Sequence, residues 1–301
     1  MSKLGIIISN EVRTDVMAKS FWIATFIVPV VILIFGAFAG ILMQDSDSFM
    51  NATHGMSAGP EPDDITPLKA LAMMLGIFPV IFLMMYGAMV FNKVKTEKCN
   101  RIVEILATCV DGRTMMLAKV IAVGVVGLLQ LALWMLLIVL FGGFFILVAG
   151  IGVPWSILAN GKLWLAFMWA ALYFIGGYVF YASLYAAVGA MTDKNNENQG
   201  YITILTLAIL ASFYIGEYAV DNASGAFITA CSFIPFTSST VLTVTSAAGE
   251  APLWLSLTGL GVLYVFALLA VSLAGKIYTS SLLLKGKKIS PSDLLIFLKS
   301  K

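Results

Sequence analysis

Charged positions along this chain gather into short clusters, and long uncharged apolar runs separate them. Residues 20–44 and 70–92 contain no Asp, Glu, Lys or Arg, and between Lys119 and Asp193 the only charge is Lys162. A helix needs about 20 apolar residues to cross the hydrocarbon core of a bilayer. The gaps therefore predict six spans, at about 21–43, 70–92, 117–148, 163–192, 200–217 and 253–275. Residues 120–161 are too long for one ordinary span. Gly142-Gly143, Gly150, Gly152 and Pro154 predict a long helix to about 148 and then a loop. The alternative is a hairpin there, which makes seven spans.

Charge placement decides between the two. Lys and Arg collect on the cytoplasmic side of membrane proteins. With six spans both ends are cytoplasmic, and segments 1–19, 93–119, 193–199 and 276–301 hold every Lys and Arg except Lys69 and Lys162. Those two stand at outer span ends, where a long side chain snorkels to the headgroups. The outer loop carries Asp45, Asp47, Glu61, Asp63 and Asp64, with no basic residue from 45 to 68. Seven spans would put the lysine-rich tail outside.

Composition agrees: 60% of the 301 residues are hydrophobic and 11% charged, against about a quarter charged in soluble domains. The expected fold is thus an all-α integral membrane protein with a cytoplasmic interfacial helix (1–19), a six-span domain (20–279) and a basic cytoplasmic tail (280–301). Residues 3–18, with Ile6, Ile7 and Ile8 in a row, read as that interfacial helix; a disordered start is the other reading. The first apolar run is too long for a signal-peptide core and lacks a small-residue cleavage pattern, so the N-terminus reads as retained. Trp22, Trp155, Trp164, Trp254 and Tyr278 near span ends read as interface anchors.

Residues 218–252 hold Asp221 and Glu250 but no basic residue, and they are too apolar for a free loop. Pro235 and the Thr/Ser run 237–240 are expected to break a helix. Non-helical backbone at membrane depth survives only where protein or water covers it. A re-entrant pair of short helices on the outer side fits, with Pro235, Phe236 and Ser238 in it. There it would act as an outer plug.

The usual chemistry is absent from the sequence. His54 is the single histidine, and it lies in the outer loop. Cys99, Cys109 and Cys231 show neither disulfide nor metal spacing and read as free thiols. No catalytic residue, metal site, bound cofactor or nucleic-acid partner is expected. No acid or base falls near the centre of a span, which argues against a proton-coupled carrier, an intramembrane protease or a voltage sensor. Glu217, at the outer end of span five, is a candidate cation or substrate contact; an ordinary interfacial carboxylate is the competing reading. Gln130 reads as an interhelical hydrogen-bond group. Asn51-Ala52-Thr53 and Asn222-Ala223-Ser224 match the glycosylation sequon, which matters only in a secretory host. No GxxxxGK[ST] occurs, so if transport is driven by ATP the motor is another chain.

The segment Lys95–Lys119 is the most informative. On a helix over 97–110, Ile102, Ile105, Leu106 and Cys109 share one face. Glu97, Arg101 and Glu104 share another, with Glu97 and Arg101 at i, i+4 in the favourable order. Asp111-Gly112 ends the helix and Arg113 follows at the turn. Spacing alone leaves two readings: a surface helix that docks a partner, or a solvated connector.

KTEKCNRIVEILATCVDGRTMMLAKVIAVGVVGLLQ resembles the segment after the second span of type-2 ATP-binding-cassette (ABC) permeases, especially the sodium-efflux-type branch. IIISNEVRTDVMAKSFWIATFIVPV, YVFYASLYAAVGAMTDKNNENQG, FIPFTSSTVLTV and YTSSLLLKGKK resemble further parts of the same family. The resemblance implies a six-span exporter subunit in the bacterial cytoplasmic (inner) membrane, paired with a second, identical or related permease chain. It also implies a cytoplasmic ATP-binding subunit below, where ATP and Mg bind. The segment between spans two and three would be the coupling helix. Glu97, Arg101, Glu104, Ile105 and Leu106 would meet the ATP-binding subunit, with Arg113 at the turn. The branch often carries a large outer domain where this chain has only 44–68. The family's scaffold exports ions, peptides, lipids and drugs, so it does not name the cargo. A stand-alone carrier or channel, and a non-transporting scaffold, are the alternatives.

Overall fold

Uncharged apolar runs become single helices here, even across Pro79 and Gly142-Gly143, because only intrachain bonds satisfy the backbone in an apolar medium. The computed structural model describes residues 3–19, 21–27, 30, 67–99, 112–149, 161–192, 199–220 and 222–283. Within these the regular elements are α1 (Lys3–Met17), α2 (Pro67–Cys99), α3 (Gly112–Ala149), α4 (Gly161–Met191), α5 (Gln199–Ala219), α6 (Ala226–Phe233), α7 (Pro235–Ala247) and α8 (Leu253–Leu283), besides a helical stretch over 21–27. Most of the first expected span, the outer loop, residues 100–111 and the basic tail lie outside the described residues. Among the described residues four stretches are long and apolar enough to cross a membrane: Thr114–Trp134, Trp164–Met191, Gly200–Ala219 and Leu253–Ser281.

Helix α2 runs on to Cys99 and α8 to Leu283, past residues 92 and 275 where the charge-free spans are expected to end. Charge ends a span but not a helix: Lys, Glu and Thr continue the turn once past the apolar stretch. At 33 residues and about 1.5 Å of rise each, α2 is about 50 Å long and outreaches a hydrocarbon core of about 30 Å. Helix α3 is continuous over 120–149, where the single long helix was expected.

The chain divides into two compact units, one of Met1–Glu11, Pro67–Gly124 and Asn160–Lys301, the other of Val12–Thr66 and Val125–Ala159. In the second unit Phe21, Trp22 and Phe26 make successive ring contacts, and Gln130 and Trp134 are buried.

In the first unit α4 is the central helix; it packs on α2, α5, α7 and α8. Its tyrosines tie it to four neighbours, as a buried phenol needs a partner for its O–H. Tyr173 donates to the Ser256 carbonyl of α8 at 2.6 Å, Tyr178 to the Val120 carbonyl of α3 at 2.8 Å and Tyr181 to the Phe236 carbonyl of α7 at 2.7 Å. Tyr185 shares a 3.2 Å hydrogen bond with Thr206 of α5. Small residues set the approach distances. A Cβ at Gly177 would stand 2.6 Å from Ser239 Cβ, and one at Gly189 would stand 2.8 Å from the Phe91 carbonyl. Packing within one chain therefore accounts for the small residues of α4.

The stretch 218–252 forms two short helices, α6 and α7, that meet at Ile234–Pro235. The break is narrower than expected, since the run 237–240 is helical inside α7. Pro235 at the first helical position has no N–H to lose there. The hydroxyls turn inward: Thr237 donates to the Cys231 carbonyl at 2.6 Å, and Thr245 to the Val241 carbonyl at 2.9 Å. Thr240 shares a hydrogen bond with Ser212 of α5. Helix α7 ends in a Schellman motif. Gly249 takes φ 76°, its N–H reaches the Ser246 carbonyl, and the Glu250 N–H reaches that of Thr245.

Candidate functional site

Two charged helix ends and one amphipathic helix meet at the foot of the first unit. Helix α1 contributes Glu11, α2 contributes Lys93 and Glu97 from its overhanging turns, and α3 contributes Lys119 near its start. Lys93 Nζ donates to Glu11 Oε2 at 2.6 Å. Lys119 Nζ donates to Glu11 Oε1 at 2.9 Å and also bonds Glu97 Oε1. The order is therefore Lys93–Glu11–Lys119–Glu97, a neutral chain of alternating sign. Lys119 is only 3% exposed, while the two carboxylates keep about a fifth of their surface. Burial opposes the charge on Glu11, but the two ammonium groups outweigh it and hold its carboxyl below the ordinary value.

The cluster brackets the segment that sequence spacing singles out. Residues 100–111 join the end of α2 to the start of α3 in the sequence. A cavity of about 400 Å³ lies beside it, lined by Ile6, Ile7, Asn10, Glu11, Glu97, Met115 and Lys119. A more open groove runs along α2 past Met85, Met89, Asn92 and Thr96.

Of the residues expected at a partner surface, Glu97 lies in the last turn of α2 with Lys119 as its partner. Arg101, Glu104, Ile105 and Leu106 lie outside the described residues, and Arg113 belongs to the first turn of α3. Pro235 opens α7. Phe236 packs edge-on against the rings of Phe180 and Tyr181, and Ser238 is buried. Glu217 lies in the last turn of α5; its Oε1 is buried without a hydrogen-bond partner among the described residues, facing α2 at Gly76. The structure does not bring Glu217 to the foot cluster; it places it beside α2 and Val244 of α7.

Sequence reasoning missed the role of Glu11. Its only signal is an acid set in an Ile-rich helix while Lys93 and Lys119 stand at the two ends of 93–119. Tyr278, expected as an interface anchor, is instead buried at 1% exposure, whereas Trp164 and Trp254 are exposed. The base of α8 packs against the start of α3, where a Cβ on Gly112 would stand 2.8 Å from Thr279 Oγ1.

The chain is similar to two proteins of unassigned activity. It is 28% identical over 217 residues to the uncharacterized protein YhaP of Bacillus subtilis, covering 70% of this chain and 51% of that one. It is 25% identical over 199 residues to the uncharacterized protein MJ1024 of Methanocaldococcus jannaschii, covering 66% of this chain and 46% of that one. The chain thus spans about half the length of the curated relatives it matches. No solved structure matches it. The profile described as "ABC-2 family transporter protein" matches residues 65–276. That stretch takes in α2 to α7 and most of α8, and with more than half of its residues matched this membrane protein belongs to the ABC-2 family of transporters.

Proposed function

We propose that the chain is the permease subunit of an ABC exporter, which moves its substrate out of the cytoplasm with ATP hydrolysed on a separate subunit. The family match over 65–276 carries this reading. In it the chain has six spans and both ends in the cytoplasm of a bacterial cell, and it pairs with a second permease chain, identical or related. Residues 97–113 form the coupling surface: Arg101, Glu104, Ile105 and Leu106 meet the ATP-binding subunit, and Glu97 and Arg113 stand at its two roots. Helices α6 and α7 form the outer re-entrant plug around Pro235, Phe236 and Ser238, and Glu217 meets a cation or the substrate on its way out. ATP and Mg bind the partner alone. The continuity of α2 and α3 with both ends of 100–111 supports the coupling role, because rigid helices transmit a displacement along their length.

The test is recovery of the ATP-binding subunit from the host membrane with wild-type chain and with Glu104→Lys, followed by an ATPase assay. Recovery of an ATPase that the charge reversal releases is the expected outcome. Intact, folded chain that brings down no nucleotide-binding protein overturns the permease reading in favour of a stand-alone carrier or a scaffold.

A further inference from the structure

The groove along α2 has a volume of about 550 Å³ and changes character along its length. Met85, Ala88 and Met89 line one part, and Asn92, Lys93, Thr96 and Glu97 line the other. Their spacing of three and four puts all of them in one stripe of the helix. The methionines close the uncharged stretch 70–92, so they lie at acyl-chain depth, and the polar part lies where headgroups begin. Along the axis Lys93 and Glu97 stand about 6 Å apart. Met85 is 38% exposed, and a methionine adapts its shape to a flexible apolar chain. Asn92 and Thr96 are exposed. Lys93 keeps 18% and Glu97 19% of its side-chain surface. Lys119 bonds Glu97 through Oε1, while Oε2 is buried without a hydrogen-bond partner among the described residues. A carboxylate accepts through both oxygens, and leaving one of them buried and unpaired is unfavourable.

These features select a ligand. An anionic headgroup beside Lys93 meets the Glu97 carboxylate one turn away, and a purely cationic one beside Glu97 meets the Lys93 ammonium. A zwitterion that carries phosphate and amine on a two-carbon link matches both. Its amine needs N–H groups, because Glu97 can only accept.

We propose that this groove holds a phospholipid with a phosphoethanolamine headgroup, as a bound lipid and not as cargo. Lys93, Asn92 and Thr96 donate to its phosphate. Its primary ammonium donates to the Glu97 carboxylate, which turns Oε2 outward to accept. One acyl chain follows Ala88, Met89 and Met85 into the bilayer. The lipid thereby completes the chain Lys93–Glu11–Lys119–Glu97 from outside and braces the place where α1, α2 and α3 meet. The site rests on α2 crossing the bilayer, as it does in the permease reading, and it needs no motor subunit.

Native mass spectrometry of the purified chain in mild detergent reads lipid retention directly. The chain is offered equal amounts of phosphatidylethanolamine, phosphatidylcholine and phosphatidylglycerol with the same acyl chains. Wild type is expected to retain a single phosphatidylethanolamine, preferred about ten-fold over phosphatidylcholine. The trimethylated amine donates no hydrogen bond to Glu97, and one bond to a charged group is worth at least about that factor. Glu97→Gln brings the ratio close to parity. Ala88→Trp fills the groove, leaves the foot cluster intact and abolishes retention. Thermal unfolding establishes that each variant is folded. Should Glu97→Gln fail to fold, Ala88→Trp decides; should both fail, the wild-type ratios decide alone. Equal retention of phosphatidylethanolamine and phosphatidylcholine overturns the site, as does a preference for phosphatidylglycerol or a ten-fold preference that survives both substitutions. A chain that retains no lipid overturns it too, and if that chain is a dimer a second copy covers the groove. The ATPase recovery described above tests the permease reading without lipid, so the two stand or fall separately.

Discussion

Lys119 is the junction of the foot cluster, and replacing it with Met isolates what a single buried cation contributes there. Met keeps the length and apolar stem of the side chain, so little packing changes. Two carboxylates, Glu11 and Glu97, lose their shared partner. Breaking a fully buried pair from one side costs about 3–5 kcal/mol. Here the carboxylates keep about a fifth of their surface, and Glu11 retains Lys93 at 2.6 Å. Water and the remaining lysine reduce the cost to about 2–3 kcal/mol. For a chain of this size that corresponds to a midpoint about 5 °C lower. Lys93→Met is the comparison: Lys93 is 18% exposed and pairs with Glu11 in the cluster, so its loss costs about 1 kcal/mol or less. The assay is thermal unfolding of purified protein in mild detergent, followed by intrinsic tryptophan fluorescence. Adding Glu11→Gln and Glu97→Gln to Lys119→Met removes the stranded charges and recovers part of the loss. Equal midpoints for the Lys119→Met and Lys93→Met chains would refute the ranking, and with it the view that burial makes Lys119 the junction.

Two further outcomes follow from the same structure. The lowered pKa of Glu11 means that its contribution is fully present above its ordinary value of 4.5 and is lost as pH falls through the lower folded value; a pH series of unfolding midpoints on wild type and Glu11→Gln checks this, and parallel acid limbs would count against it. Gly189→Ala presses a methyl onto the Phe91 backbone, which no side-chain rotation can relieve, and destabilises by about 1–3 kcal/mol. Gly161→Ala meets nothing within 4 Å and holds or raises stability; the two are compared in the same detergent assay.

Among the described residues, what the sequence determined by itself is that the long apolar runs are helices. A hydrocarbon medium permits little else, so an uncharged apolar run of sufficient length is already a structural statement. The continuity of α3 over 120–149 and the break at Ile234–Pro235 were readable because Gly clusters and Pro act locally. Element ends were less so: α2 passes Lys93 to reach Cys99, since charge marks where a lipid-facing stretch stops and not where helical hydrogen bonding does. Tertiary structure alone decided the partners. Glu11 meets Lys93 across 82 positions and Lys119 across 108, and nothing in local spacing distinguishes those lysines from others in the chain. In the same way Tyr278 sits at a sequence position suited to an interface and is buried instead, because Gly112 lets the base of α8 close against α3. Hydropathy and propensity depend on a residue and its near neighbours. Ion pairs and orphaned hydroxyls depend on where whole helices come to rest against one another, and only the packed fold settles that.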